Sequence, residues 1–213
     1  MTQTPFQTRR AVLASMLAAP LAAAATSTGA LLLFPRAARA AQRRYGLAAS
    51  ASRVGFVFNL GGAPQKGTMP ITRADIRIDP DNLANSAVDV SVSVREARTG
   101  LIFATDALKS PEVLDAGRHP TIRFVSTRVK LGPGGRISDG AALSGDLTVR
   151  GVTKPVTFQA SVFRPAGTGA GDLDNLQVRL SGAISRSAFG ATGYSDLVDD
   201  RITLDIRAAI RAA

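Results

Sequence analysis

The segment Gly145-Asp146-Leu147-Thr148-Val149-Arg150-Gly151-Val152-Thr153-Lys154-Pro155-Val156-Thr157-Phe158 decides how the rest of the chain is read. Between Leu143 and Val149, the apolar Leu143, Leu147 and Val149 alternate with Ser144, Asp146 and Thr148, the period-two pattern of a strand with one wet face. Arg150 to Lys154 are predicted to turn the chain. Pro155 is tolerated at a strand's first residue, and behind it Val156, Phe158, Ala160 and Val162 alternate with Thr157, Gln159 and Ser161. The stretch therefore reads as a β-hairpin.

Similar alternation recurs on both sides, giving about eight strand-like runs in all. Upstream, Val54, Phe56 and Phe58 share one face of a run that Gly61-Gly62-Ala63-Pro64 and Lys66-Gly67 are expected to break. Ile76 and Ile78 alternate with Asp75, Arg77 and Asp79 before a turn at Asp79-Pro80-Asp81-Asn82. Val88, Val90, Val92 and Val94 alternate with Asp89, Ser91, Ser93 and Arg95, a β-branched pattern with no helical reading. From about Thr99 to Leu114 the spacing of Leu101, Ala104 and Leu108 becomes helical, with Thr99 as the expected cap and an end near Ser110-Pro111. A short helix lying across one end of the sheet is predicted. Thr121 to Leu131 holds Ile122 and Phe124 in one phase and Val125, Val129 and Leu131 in another, so a β-bulge is expected between them. Gly132-Pro133-Gly134-Gly135 reads as a turn and Pro165 to Gly171 as a loop. The last two runs align Leu176, Val178, Leu180 and Ile184, then Ile202, Leu204, Ile206 and Ile210.

No run is apolar on both faces, which excludes a parallel sheet buried between helices. Strands with one apolar face and short connections must pair with a second sheet or close on themselves. Pattern alone leaves a sandwich and an up-and-down barrel open. Three motifs bear on that choice: His119-Pro120-Thr121-Ile122-Arg123-Phe124, the central hairpin, and Ile184-Ser185-Arg186-Ser187-Ala188-Phe189-Gly190. In their order and approximate spacing the chain resembles the YceI-like family of lipid- and polyisoprenoid-binding proteins. The resemblance implies an all-β fold, an eight-stranded antiparallel lipocalin-like barrel with one short helix. Its interior could be just filled by side chains or hold one small ligand.

The first forty residues read as an export signal rather than as part of the barrel. Arg9-Arg10 precede a charge-free run to Pro35, and Ala38-Arg39-Ala40 forms a small-x-small end before Ala41. The paired arginines followed by Val12 and Leu13 resemble a twin-arginine signal, with Val12 where that motif prefers Phe. Cleavage is expected near Ala40/Ala41, leaving a barrel domain over 41–213 in the periplasm. The run is long enough to serve as a membrane anchor instead, but Pro20 and Thr26-Ser27-Thr28-Gly29 interrupt it. Without those forty residues, 22 basic side chains face 16 acidic ones. They are scattered, with no basic helix or aromatic-basic platform, which argues against nucleic acid and leaves a weak attraction to anionic headgroups at a membrane surface. The chain has no cysteine, which excludes disulfide and thiolate chemistry.

Catalytic groups are scarce. His119 is the single histidine, and its place before Pro120 at a strand's start favours a structural role. Asp196, Asp199 and Asp200 read as a solvated acidic turn rather than a hard-cation site, and Gly132-Pro133-Gly134-Gly135 lacks the context of a phosphate loop. Neither an enzyme nor a resident cofactor is expected. The strand phases converge on Phe56, Phe58, Val90, Val92, Phe124, Phe158, Val178 and Leu204, joined by Leu101, Phe103 and Leu108 on or near the helix. On pattern alone these residues could fill a dry core or line a pocket. The resemblance implies a pocket, and its mostly aliphatic lining would suit a flexible hydrocarbon chain such as an isoprenoid or a quinone tail. Burying ten methylenes contributes about 8 kcal/mol of transfer free energy, enough for affinity of about micromolar order after association losses. Ala104, Thr105 and Ala107 stand where family members commonly carry an Arg-Asp pair and a His, and Asn59-Leu60 where a further His is usual. A ligand held by its tail follows. The alternative is a structural or interaction module with a filled barrel, partnering a membrane cytochrome of the b561 type beside which some relatives occur. A hydrolase or isomerase would need His119 as its base.

Overall fold

The structure, a computed structural model, describes residues 42–213 apart from 81, 134–138 and 170. The expected signal segment over 1–40 lies outside the described residues, as do Asp81, Ala170 and the Gly134-Gly135 part of the expected turn. Eleven strands form one antiparallel sheet: β1 (Arg43–Leu47), β2 (Arg53–Leu60), β3 (Ala63–Met69), β4 (Ile71–Ile78), β5 (Ala87–Ser93), β6 (Arg98–Thr99), β7 (Thr121–Leu131), β8 (Ala141–Val149), β9 (Val152–Phe163), β10 (Asn175–Ser185) and β11 (Arg201–Ala212). Helix α1 spans Ile102–Lys109.

These strands occupy eight places in a closed wall. β11 pairs with β10 along one edge, while its other edge takes β2 opposite Thr203–Arg207 and β1 opposite Ile210–Ala212. β1 and β2 are thus one interrupted wall strand. β3 and β4 make the next, since β3 pairs with β2 and β4 with β1. β5 and β6 make the third on the same logic. β7, β8, β9 and β10 follow in chain order. The result is an eight-stranded, closed, antiparallel up-and-down barrel, the architecture that leaves no edge unpaired.

Several local expectations needed correction. Gly61-Gly62 does not end the wall but turns it. Both residues have positive φ, at 57° and 82°, so Leu60 and Ala63 pair across a two-residue hairpin of the primed kind, and β3 runs through Pro64 and Gly67. The central hairpin turns at Arg150-Gly151 alone, with φ of 52° and 76°, and β9 starts at Val152 rather than after Pro155. Pro155 is tolerated because the ladder to β10 begins only at Gln159, leaving the first part of β9 paired with β8 alone. α1 ends where expected, at Lys109 with Ser110 as its C-cap, but starts later than Thr99 suggested. Leu101, not Thr99, is its N-cap, and the Thr99 hydroxyl accepts from the Leu101 N–H instead. Val113 and Leu114 lie beyond the helix in the turns after Pro111. The bulge in β7 falls between Ser126 and Arg128, restoring Val129 and Leu131 to the face of Ile122 and Phe124. Val125 stays on the other face.

Two buried clusters divide the interior along the barrel axis. Near α1, Phe56, Met69, Val92, Val94, Leu114, Leu147, Val149 and Phe189 pack together. At the opposite end, Tyr45, Ile76, Leu176 and Ile210 form a second cluster, closed by the Tyr45 hydroxyl donating to the Leu173 carbonyl at 2.9 Å. Burial there pushes the Tyr45 phenol up.

Candidate functional site: an apolar cavity inside the barrel

Between the two clusters the barrel is hollow. Side chains alternate across each strand, so the inward set of every wall strand faces the axis. They enclose a cavity of about 450 Å³, within the usual range for small-molecule sites. Among the described lining residues, the polar side chains are those of Ser86, Tyr194 and Arg186. Ser86 Oγ accepts from the Asp79 N–H at 3.2 Å. Arg186 is 8 % exposed, and its guanidinium donates to the carbonyls of Ala191 at 2.6 Å, Gly193 at 2.7 Å, Val198 at 2.9 Å and Asp199 at 3.2 Å. Its charge is thus spent on backbone oxygens, and the wall offers a guest almost nothing but hydrocarbon.

The cavity opens between α1 and the segment 191–199. Phe103, Tyr194 and Leu197 line it yet remain 62 %, 49 % and 57 % exposed, and the neighbouring Ile102 is 84 % exposed. Large apolar side chains left this wet are unusual for a folded surface and mark the mouth of a site or a contact surface. Two arginines hold the surroundings in place. Arg186 gathers 191–199 as described, and Tyr194 sits there at φ 58°, a backbone setting that a bulky residue keeps only when its neighbours enforce it. Arg150 donates from the hairpin tip to the carbonyls of Pro111 at 2.6 Å and Val113 at 2.7 Å, pinning the chain that leaves α1.

Of the residues singled out from the sequence, Phe56, Phe58, Val90, Val92, Phe103, Leu108, Phe124, Phe158, Val178 and Leu204 all line this cavity. Leu101 does not; as the N-cap it stands at the outer start of α1. The geometry also brings in Phe189, Arg186, Tyr194 and Leu197, whose turn-rich segment carries no periodicity to place them. His119 is packed at the hairpin tip, its ring 3.2 Å from where a Cβ on Gly151 would stand, and its backbone N–H donates to the Asp115 carbonyl at 2.7 Å. The acidic turn does not converge. An Asp199 oxygen accepts from the Asn59 amide at 2.8 Å, while Asp200 accepts from the Ser187 N–H at 2.8 Å. The hydroxyls of Ser185 and Ser187, with that N–H, hold the Asp200 carboxyl below the usual carboxylate range. Among the described residues no three His, Asp or Glu side chains gather as a metal site.

A closed antiparallel barrel with an aliphatic lumen and a helix beside its mouth defines the class. Residues 45–210 match the YceI-like domain, so the chain belongs to the YceI-like family. A UPF0312 protein of Vibrio vulnificus is 31 % identical over 179 residues, covering 81 % of this chain and 92 % of that protein. Among solved structures, BcnA of Burkholderia cenocepacia superposes with a TM-score of 0.67 at 21 % identity, covering 77 % of this chain and 99 % of the other. A polyisoprenoid-binding domain from Saccharophagus degradans, implicated in plant cell wall breakdown, does so with a TM-score of 0.58 at 12 % identity, covering 80 % and 99 %. At those identities the two structures share the fold with this chain.

Proposed function

We propose that this protein is a non-catalytic carrier that holds the tail of an isoprenoid or similar long-chain lipid inside its barrel, after export to the periplasm. The observation that carries the reading is the cavity: about 450 Å³ with a largely aliphatic wall in which Ser86 and Arg186 are already bonded to the protein backbone. A filled barrel, which the alternative interaction module required, does not match that space. At about 30 Å³ per methylene-sized group, similar to a water molecule's share of the liquid, the lumen takes on the order of fifteen carbons. Their burial supplies roughly 12 kcal/mol, which association costs reduce to affinity of about micromolar order.

A guest of that length is three isoprene units, so a longer polyprenol or a quinone would leave its remaining length or its head at the mouth. Ile102, Phe103, Tyr194 and Leu197 give that mouth an apolar rim through which a tail could pass from a membrane surface. A quinone guest would make a b561-type membrane cytochrome a natural exchange partner. Gentle purification of the protein from its native host, organic extraction and mass spectrometry test the carrier reading. Recovery of an isoprenoid or long-chain lipid in near-equimolar amount is expected, and consistently lipid-free protein would overturn it.

A further inference from the structure

We infer that the guest's girth and length are set by glycines in the wall, Gly67 and Gly182 above all, which act as seats for the phenylalanine rings of the lumen. An eight-stranded barrel is just wide enough to be filled by its own side chains or to hold one small ligand, so the way the largest side chains are stowed decides how much room is left. Gly67 pairs directly with Phe56 and Gly182 with Leu204, both of which line the cavity, so each glycine faces inward. Over each lies a ring from the adjacent strand. A Cβ on Gly67 would stand 2.7 Å from Cε1 of Phe56, and one on Gly182 would stand 2.6 Å from Cδ1 of Phe158. Gly145, inward between Leu143 and Leu147, carries the Phe124 ring in the same way, 2.7 Å from Cε2. Phe124 and Phe158 then meet edge to face at 5.4 Å between centroids.

The rings therefore lie against the wall in the space that neighbouring side chains would have taken, instead of pointing at the axis. Glycine in a strand interior weakens the strand and marks a close approach, and an aromatic laid over it recovers packing. Here the same exchange keeps three of the largest side chains out of the lumen. Gly145 also has the Val125 carbonyl against it, so any side chain there meets backbone. At Gly182 the nearest atoms are those of the ring, with the Thr157 carbonyl farther off at 3.5 Å, which makes it the clean position to test. A methyl group there must push Phe158 toward the axis.

This inference rests on the carrier reading, and the experiment separates the two. Farnesol, with fifteen carbons, and geraniol, with ten, are titrated against the wild-type protein, Gly182→Ala, Phe158→Leu and the double variant. Gly182→Ala is expected to lose about tenfold or more in farnesol affinity, the scale on which a fixed apolar pocket senses one or two methylenes, while geraniol binding changes little. The double variant, having no ring to displace, is expected to recover farnesol binding. Unchanged farnesol preference in Gly182→Ala, or a double variant as impaired as the single one, overturns the inference. If Gly182→Ala does not fold, the double variant is expected to fold, and its failure to do so is equally adverse. Should the wild type bind neither alcohol, the carrier reading fails. The seat is then read from a crystal structure of Gly182→Ala, where a Phe158 ring turned toward the axis supports it and an unmoved ring refutes it.

Discussion

Replacing Arg186 with Leu is expected to unfasten the mouth of the barrel. The guanidinium reaches four carbonyls of the 191–199 segment, at 2.6 to 3.2 Å, from a position only 8 % exposed. Bonds from a charged donor are worth roughly 1.5–3 kcal/mol each where the acceptor cannot be rehydrated. Three of these four bonds are only part-buried and water can reach the acceptors once the segment loosens, so the net loss falls to about 4 kcal/mol, near 1 kcal/mol per bond. For a domain of this size that lowers Tm by on the order of 10 °C. Tyr194 should also leave its left-handed backbone setting, since Gly193 next to it loses the bond that fixes it. Arg186→Lys, which keeps the charge but not the fork, should fall between the two. Calorimetry gives the Tm, and hydrogen exchange at 191–199 shows whether the loss is local. A Tm within about 1 °C of wild type, or unchanged exchange in that segment, would refute the assignment of Arg186 as its anchor.

At the rim, Ile102→Ser with Phe103→Ser should change stability by less than about 0.5 kcal/mol each, as befits exposed positions, yet slow the uptake of a fluorescent lipid from phospholipid vesicles; unaltered uptake would remove the rim from the entry route. Gly151→Ala places a side chain at φ 76° and 3.2 Å from the His119 ring, so unfolding in urea should show a loss of about 1–2 kcal/mol. Lowering the pH should destabilise the barrel. The Arg123 guanidinium holds Asp89 below its ordinary value near 3.8, Arg77 does the same for Asp75, and the Ser185 and Ser187 hydroxyls for Asp200. Carboxyls depressed in the folded state stabilise it above their unfolded values and cease to do so as pH falls through the folded ones. Tm should therefore be level from pH 7 to about 5 and decline below about 4, and a Tm that rises on acidification would contradict these assignments.

How much was legible depended on whether a residue's neighbours share its face. The eight wall positions and most of the lumen followed from period-two alternation, because each strand is wet outside and apolar inside. β3 escaped notice because Pro64, Gln65, Lys66 and Gly67 alternate in nothing; it exists as the return arm of the Gly61-Gly62 turn, and a Gly-Gly pair is itself a hairpin signal. β1 escaped because Arg43 and Arg44 obscure the inward Tyr45. Thr99 had the chemistry of a cap, but its hydroxyl is used one step before the helix begins. The mouth was out of reach of pattern, since Arg186, Tyr194 and Leu197 are placed by hydrogen bonds to carbonyls rather than by periodicity. The glycine seats were visible only as gaps, at 145 and 182, in otherwise apolar inward rows.

The most direct test is a crystal structure of the protein grown with farnesol. Continuous density is expected for one extended chain along the barrel axis, against Phe56, Val90, Phe158 and Leu204, with the hydroxyl toward Tyr194. Density for the alcohol only on the outer surface, with the lumen unchanged, would contradict it.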